Sequence, residues 1–183
     1  MNHEPRILRR RPVRLKGYDY SQPGAYFVTI CADRQACLFG EVRDGRMRPN
    51  DHGRIAWRCW EDLPRYYPHV RIDSFVAMPN HVHGIIVLTE IGVGAGLRPA
   101  PTESGMGFRP HALPEIVRAF KAFSARRINE LRNMSGGRVW QRSYYERVVR
   151  NEEELNRIRQ YIAENPSRWS EDEYHPSHAG SGR

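Results

Sequence analysis

Residues 78–88 have the sequence MPNHVHGIIVL, and the interpretation of the whole chain starts from this stretch. Its second half is apolar and rich in β-branched residues, which is typical of a buried strand. His81 and His83 lie at the head of that run and are separated by Val82. Because side chains alternate between the faces of a strand, both imidazoles lie on one face and Val82 on the other. The sequence therefore places two polar rings at the edge of a core.

Further strands are predicted on the N-terminal side of this stretch, at 26–31, 38–42, 46–49 and 70–78. Pro79 and Asn80 leave only a short connection between the last of these strands and the histidine strand, so the two are antiparallel. Asp44-Gly45 joins the strands at 38–42 and 46–49, which is the signature of a short hairpin.

Three helices are predicted from apolar residues at helical spacing, at about 51–63, 114–135 and 152–165. Asn50 or Asp51 can cap the first helix. Asn151 and Glu154 have the spacing of a capping box at the start of the third, and Pro166 is expected to end it. The intervening segment 138–150 is expected to be extended and to pack across the sheet.

The order of these elements is strand, hairpin, helix, two antiparallel strands, helix, helix. It predicts an α+β fold in which an antiparallel sheet is covered by helices on one side, and a ferredoxin-like sandwich is the simplest such fold. We expect one domain at 21–169, preceded by a basic arm at 1–20 and followed by a disordered polar tail at 170–183. A flexible Gly/Pro-rich loop is expected at 90–112, as a DNA-contacting flap or an inserted segment.

The chain carries 29 Lys and Arg residues against 21 Asp and Glu residues, a formal net charge of +8. The excess is almost entirely arginine, which matches phosphates and guanine edges and stacks on bases, so nucleic acid is the expected partner. Three cysteines without metal-ligand spacing argue against disulfide and zinc-finger frameworks. No apolar run has the length of a membrane span or a signal peptide, so we expect a cytoplasmic protein with no membrane partner.

The two histidines of 78–88 are candidates for metal binding, because imidazoles about 7 Å apart along one strand face can hold a divalent ion between them. A pair of surface or hydrogen-bonded histidines is the alternative. Tyr161 and Asn165 lie four residues apart, on one face of the last helix, and could present a phenol and a carbonyl oxygen to the same place. Alternatively, Tyr161 is a half-buried core residue and Asn165 only ends the helix.

Four segments taken together identify a family: RLKGYDYSQPGAYFVTIC, MPNHVHGIIVL, VWQRSYYERVVRNEEEL and YIAENP. Their combination resembles the single-tyrosine transposases of the HUH nuclease superfamily, within the IS200-like transposases. In particular it is similar to the bacterial subgroup associated with repetitive extragenic palindromes (REP). The resemblance extends from about Arg14 to Trp169, apart from the Gly/Pro-rich stretch after Glu90.

The resemblance implies a metal-dependent endonuclease and strand transferase that acts on single-stranded DNA at hairpin-containing repeats. By its motifs His81 and His83 are metal ligands, Asn165 completes the metal site, and Tyr161 is the nucleophile that becomes joined to a 5′-phosphate. Arg157 occupies the position where two-tyrosine relatives carry a second tyrosine, which implies a one-tyrosine mechanism. Mg²⁺ or Mn²⁺ suits two imidazoles with oxygen donors.

Basic and aromatic residues are the candidates for DNA contact, through phosphate binding and base stacking. They are Arg9, Arg10, Arg11, Arg14 and Lys16 in the arm, Arg118, Lys121, Arg126 and Arg127 in the second helix, and Arg138, Arg142, Tyr144, Tyr145 and Arg147 after it.

Two other functions fit parts of the sequence. A non-catalytic ferredoxin-like module that binds DNA or RNA hairpins would carry exposed aromatic residues on its sheet. A metallohydrolase would need an acidic ligand near the histidines, and Glu90, the nearest acidic residue downstream, lies at the far end of their strand. The sequence leaves open whether the protein is a monomer or a homodimer, and whether the nucleophile serves its own chain.

Overall fold

The computed structural model describes residue 15 and residues 17–90 and 110–178. Several sequence predictions lie outside these residues: the basic arm with Arg9, Arg10, Arg11, Arg14 and Lys16, most of the loop at 90–112, and the tail at 179–183.

The described residues form six strands, four α-helices and three short 3₁₀ helices. The strands are β1 (Gly24–Cys31), β2 (Gly40–Arg43), β3 (Arg46–Pro49), β4 (Val70–Ala77), β5 (His81–Leu88) and β6 (Tyr145–Val149). The α-helices are α1 (Asp51–Glu61), α2 (Leu63–Tyr66), α3 (Leu113–Leu131) and α4 (Glu152–Glu164). The 3₁₀ helices span Asp33–Gln35, Asn165–Glu171 and Pro176–His178. No helix in this part of the chain combines the length and the apolar character needed to cross a membrane.

Four strands form an antiparallel sheet in the order β4-β5-β1-β6, and β2 pairs with β3 in a separate hairpin. The helix α1 connects β1 to β4 by way of that hairpin, and α3 connects β5 to β6, which gives the β-α-β-β-α-β order of a ferredoxin-like sandwich. The predicted α+β class and antiparallel sheet are confirmed. The strand β5 lies in the interior of the sheet, hydrogen-bonded on both sides.

Both faces of the sheet are covered, and here the predicted arrangement differs from the structure. The helices α1 and α3 pack on one face, where Trp60 and Phe120 contact the core around Val82. The helix α4 packs on the opposite face, with Ile158 and Ile162 against β1 and β5. The expectation of helices on one side therefore holds for the ferredoxin-like core but not for α4. The physical reason is that a strand with apolar residues on both faces needs a cover on each.

The local signals in the sequence act as expected at the turn and at the helix starts. Asp44 and Gly45 adopt positive φ angles of 52° and 69°, which suit the tight turn between β2 and β3. Asn50 caps α1 by accepting a hydrogen bond from the Gly53 N–H at 3.0 Å. Asn151 caps α4 by accepting one from the Glu154 N–H at 2.8 Å. The segment 138–150 ends as the strand β6, which pairs with β1 at the edge of the sheet.

The C-terminal segment is ordered as far as the structure describes it, so the predicted disordered tail at 170–183 is wrong for residues 170–178. A 3₁₀ helix continues from Asn165 past Pro166, because the fixed φ of proline is compatible with the first turn of a helix. Beyond it, Asp172 and Tyr174 are buried, with 8% and 9% of their surface exposed. The segment is polar in composition, so its sequence did not indicate that Asp172 and Tyr174 are buried.

We predict that Gly84→Ala destabilises the fold by about 1–3 kcal/mol, the usual range for overpacking a core. A Cβ at this position would overlap the indole of Trp60, with two of its ring carbons 2.9 Å away. Urea unfolding followed by circular dichroism measures the loss. In the Trp60→Phe background the same substitution should cost less, because the smaller ring removes part of the overlap. An equal cost in both backgrounds would contradict this explanation.

Candidate active site

The strand β5 presents His81 and His83 on the face of the sheet that α4 covers. Neither histidine has any exposed surface. Their Nε2 atoms lie 2.9 Å apart. Two bare lone pairs at this distance would repel each other, so a proton or a cation has to lie between them. The two ring nitrogens thus converge on one buried point, as the HxH spacing predicts.

Asn80 determines which nitrogen of His81 carries the proton. The Asn80 amide group donates to the carbonyl oxygens of Tyr174 at 2.7 Å and Gln35 at 3.3 Å. Its Oδ1 therefore faces His81 Nδ1 at 2.8 Å, where it can only accept a hydrogen bond. The proton of neutral His81 consequently lies on Nδ1, and Nε2 keeps its lone pair. A partner that fixes the ring in this way is what metal-ligating histidines usually have.

His83 is held in a similar way by the neighbouring strand. Thr29 of β1 is its partner across the sheet, and the Thr29 hydroxyl lies 2.8 Å from His83 Nδ1. The ring of Phe27 stacks on the imidazole with 5.5 Å between ring centroids. Burial lowers the pKa of His83 to about 3. Burial also lowers the pKa of His81 well below its usual range, and the repulsion that a protonated His83 would exert lowers it further. Both rings are therefore neutral at physiological pH, the state in which imidazole binds metals.

The C-terminal segment adds a third potential ligand, Asp172, which the sequence analysis missed. Its Oδ2 lies 4.0 Å from His81 Nε2. One ligand atom from each of His81, His83 and Asp172 lies within 4.8 Å of the others. Burial raises the pKa of Asp172, against the effect of hydrogen bonds from the Tyr174 N–H and the Asn165 amide. No spacing rule links an aspartate in a polar tail to histidines about ninety residues earlier, so only the fold identifies it.

Asn165 lies beside this cluster, as its spacing from Tyr161 predicts. Its Nδ2 donates to Asp172 Oδ2 at 3.0 Å. Its Oδ1 is buried and, within the described residues, has no hydrogen-bond partner. A buried amide oxygen without a partner is costly unless another group satisfies it. A cation beside Asp172 would do so.

Tyr161 is brought to the histidines by α4. Its hydroxyl oxygen lies 3.2 Å from His83 Nε2. Ile158 and Ile162 pack the helix on the sheet, and Arg159 links it to β4 through three hydrogen bonds to Asp73, at 2.7, 3.0 and 3.2 Å. Burial raises the pKa of Tyr161, and the negative charges of Asp172 and Glu173 raise it further. The phenol is therefore positioned at the site but remains protonated in this state.

A second tyrosine, Tyr174, also contacts the cluster and was missed in the sequence. Its ring lies over His81, with 4.6 Å between centroids. Tyr66, Tyr67, Tyr144 and Tyr145 could also be mistaken for the nucleophile. Tyr66 stacks on Phe123, Tyr67 contacts His69 and His111, Tyr145 packs beside Phe27, and Tyr144 packs against the core on the α3 side of the sheet. The rings of Tyr161 and Tyr174 contact His81 and His83, which makes these two tyrosines the candidates.

The donor set fits a divalent cation. Two imidazole nitrogens, one carboxylate and one amide oxygen are available at the cluster. This mixture of nitrogen and oxygen ligands suits Mn²⁺, and it suits Mg²⁺ less well because Mg²⁺ prefers oxygen.

The predicted DNA contacts that the structure describes fall into separate groups. Arg118, Lys121, Arg142 and Tyr144 line a common groove beside α3. The remaining candidates lie outside the lining of this groove: Arg126 pairs with Glu130, Arg127 with Asp62 and Arg147 with Glu154, Tyr145 packs beside Phe27, and Arg138 is exposed.

Comparison with known proteins adds to this geometry. The family described as "Transposase IS200 like" matches residues 108–165, a range that holds Tyr161 and Asn165. An uncharacterised protein of Haemophilus influenzae is 40% identical over 173 residues, which cover 91% of this chain and 93% of that protein.

Two solved structures are similar in fold. A REP-associated tyrosine transposase bound to a REP hairpin has a TM-score of 0.55 at 18% identity, over 83% of this chain and 71% of that chain. A putative transposase from Deinococcus radiodurans has a TM-score of 0.48 at 19% identity, over 80% of this chain and 92% of that chain.

We predict that the metal-free protein loses stability as the pH falls from about 6.5 towards 3. In this range the unfolded histidines bind protons that the folded, buried rings do not, so each such histidine costs up to about 1.4 kcal/mol per pH unit. Asp172, with its raised pKa, acts in the opposite direction, so the useful quantity is the difference between wild type and His83→Gln. Urea unfolding in chelator should show a smaller pH dependence in the variant. Equal pH dependence would contradict the neutral, buried state of His83.

Proposed function

This chain belongs to the IS200-like transposase family, and from that premise we propose that it is a metal-dependent endonuclease and strand transferase of single-stranded DNA. The observation that carries the proposal is the position of the Tyr161 hydroxyl, 3.2 Å from one histidine of a buried His-His-Asp cluster in the same chain. A nucleophile, two imidazoles and a carboxylate thus meet at one point.

In this proposal His81, His83 and Asp172 hold the cation, and Asn165 adds its free oxygen. A divalent cation, Mn²⁺ or Mg²⁺, would offset the negative charge of the scissile phosphate. Asn80 and Thr29 keep the two rings in orientation through their Nδ1 atoms. Both rings are neutral, and when His83 carries its proton on Nδ1, beside the Thr29 hydroxyl, the Nε2 lone pairs of both histidines face the cation.

Tyr161 attacks the phosphodiester. Its oxygen forms a bond to phosphorus while the bond from phosphorus to the 3′-oxygen breaks. The phenol loses its proton and the departing 3′-oxygen gains one, which leaves a 5′-phosphotyrosine and a free 3′-OH. Attack by a second 3′-OH reverses these bond changes and releases Tyr161, so strands are rejoined without ATP.

Single-stranded DNA that carries a hairpin repeat is the proposed substrate. The REP-associated transposase that shares this fold is bound to a REP hairpin, and the net charge of +8 in the present chain favours a polyanion. Tyr161 and His83 meet within one chain, which supports a site that a monomer can form. We propose the cytoplasm as the place of action, where DNA is accessible.

Access to the site requires a movement. Both histidines are fully buried, and Tyr174 and Asp172 belong to the segment that covers them. A phosphate can reach the histidines only when side chains that cover them move, and the ring of Tyr174 lies nearest to His81 among these. The structure therefore corresponds to a closed state of the proposed enzyme.

Two alternatives make different predictions. A non-catalytic hairpin-binding module would have exposed aromatic residues on its sheet. In this structure the sheet face around the histidines is covered by α4 and the C-terminal segment. The structure makes a metallohydrolase more plausible than the sequence did, because Asp172 is an acidic residue beside the histidines, whereas Glu90 lies at the far end of their strand. It differs from the transposase in using water, so no covalent intermediate forms.

We predict that the wild-type protein, incubated with Mn²⁺ and labelled single-stranded hairpin DNA from the neighbourhood of its gene, forms a covalent protein–DNA adduct. Denaturing electrophoresis detects it. Tyr161→Phe should abolish the adduct, because the variant lacks the attacking oxygen. Tyr174→Phe is the matched control, since it removes a phenol from the same cluster, and it should retain the adduct.

Each other outcome contradicts part of the proposal. An adduct lost only in Tyr174→Phe would mean that the second tyrosine is the nucleophile. Cleavage without any adduct would favour the metallohydrolase, and binding without cleavage would favour the binding module.

We also predict that Mn²⁺ stabilises the protein through Asp172. A ligand at about 100 times its Kd adds about 2.7 kcal/mol, which raises the Tm of a domain of this size by about 5–10 °C. Asp172→Asn should lose most of this shift, whereas Glu171→Gln, which neutralises an exposed neighbour, should keep it. Differential scanning fluorimetry measures both. An equal shift in all three proteins would place the cation elsewhere.

A further inference from the structure

A groove of about 460 Å³ lies between the first half of α3 and the segment that leads into β6. Its lining includes three cationic side chains, those of Arg118, Lys121 and Arg142, and one carboxylate, that of Glu115. The ring of Tyr144 forms part of the wall. Ligand sites commonly enclose about 300–1,000 Å³, so the groove suits a ligand of roughly nucleotide size.

Three cations against one carboxylate leave the lining of the groove with an excess of positive charge. Glu115 is engaged by His111 at 2.9 Å and by the Ala112 N–H at 3.2 Å. Lys121 donates to the carbonyl oxygens of Gln141 at 2.6 Å and Arg142 at 2.9 Å, which holds the segment before β6 against α3. In the described part of the chain, no ion pair within 4.0 Å includes Lys121 or the guanidinium groups of the groove.

The other half of α3 differs in this respect. Arg126 pairs with Glu130 at 3.8 Å, and Arg127 pairs with Asp62 at 3.6 Å. The cations of α3 that lack a carboxylate partner are therefore those that face the groove, together with Arg142 from the opposite wall. Such a set is suited to an anion that the protein itself does not supply.

The groove is connected to the active site by the sheet. Tyr145 of the edge strand β6 lies opposite Thr29, and Thr29 lies opposite His83. Neighbouring strands are about 4.8 Å apart, so His83 and the start of β6 are separated by about 10 Å. Tyr145 packs on the α4 side of the sheet and Tyr144 against the core on the α3 side. A DNA strand that leaves the active site over the edge of β6 reaches the groove.

We propose that this groove binds one nucleotide of the single-stranded DNA that flanks the scissile phosphate, with the phosphate on Arg118 and Arg142 and the base against Tyr144. The identification of this strand as the flank of the cleaved bond rests on the proposed function. The binding of single-stranded DNA in the groove rests on the groove itself, through its charge, its size and its aromatic wall.

The test compares two DNA probes by fluorescence anisotropy over a range of NaCl concentrations: a hairpin with a single-stranded flank and the same hairpin with a blunt end. The double variant Arg118→Ala/Arg142→Ala should bind the flanked hairpin about tenfold more weakly, with a salt slope lower by about 0.7 because one phosphate is no longer neutralised. Its affinity for the blunt hairpin should not change. Arg46→Ala/Arg58→Ala removes two exposed arginines outside the groove and should bind both probes like wild type.

Variants of Tyr144 provide an independent test of the same proposal. Tyr144→Leu should weaken binding of the flanked hairpin about fivefold or more, and Tyr144→Phe should restore it, because stacking needs the ring and not the hydroxyl. Thermal unfolding of each variant confirms that it folds. Wild-type affinity in the double-arginine variant, or an equal loss with the blunt hairpin, would overturn the proposal.

Adduct formation separates this proposal from the proposed function. If the wild type forms no adduct with any DNA while the groove variants still lose affinity for the flank, the nuclease fails and the nucleotide-binding groove stands. If the adduct forms and the groove variants bind the flank like wild type, the groove fails and the nuclease stands.

Discussion

The burial of two imidazoles on an interior strand is the constraint on which the rest of the structure depends. His81 and His83 lie on β5, which is hydrogen-bonded on both sides and covered on both faces. Burying polar groups is unfavourable unless each has a partner. Asn80 and Thr29 satisfy the Nδ1 atoms, and the two Nε2 atoms are left facing each other. Asp172, Asn165 and the Tyr161 hydroxyl lie around the point where these two nitrogens meet.

The same constraint explains the position of the C-terminal segment. Asp172 and Tyr174 close the cluster on the side that the sheet and α4 leave open, and the Tyr174 carbonyl is bonded to the amide that orients His81. The segment thus contributes to the site in two ways, as a potential ligand and as a cover. Catalysis by the proposed mechanism needs the first of these and is opposed by the second. The proposed mechanism therefore requires that Asp172 stays at the cluster while the ring of Tyr174 moves away from His81 to admit a phosphate.

Among the described residues, the groups that raise the pKa of Tyr161 outweigh those that lower it, Asn165 and Arg168. Burial is the largest cause of the raised pKa of Tyr161, and the negative charge of Asp172, which would help to hold a cation, is the next largest. A cation bound at the cluster would reverse this effect, since it replaces a negative field with a positive one. In the proposed mechanism the phenol would therefore be a poor nucleophile until a cation is bound, because the charge at the cluster sets its pKa.

Much of the fold was accessible from the sequence because its signals are local. The alternation at 70–78, the apolar run of β5, the Asp44-Gly45 turn and the Asn50 cap each depend on a few adjacent residues. The pairing of His81 with His83 is local as well. The position of α4 on the second face and the role of Asp172 are set by tertiary packing, which periodicity does not encode. A polar segment such as 170–178 resembles a solvated tail unless the cavity that it fills is known.

The central claim is that His81, His83 and Asp172 form one cation site beside Tyr161. The most direct test is a crystal structure of the protein with Mn²⁺, measured with anomalous scattering at the manganese edge. We predict an anomalous peak within coordination distance of both Nε2 atoms and an oxygen of Asp172. At saturating Mn²⁺, a peak bound only by other residues, or histidines that keep their direct contact with no peak between them, would contradict it.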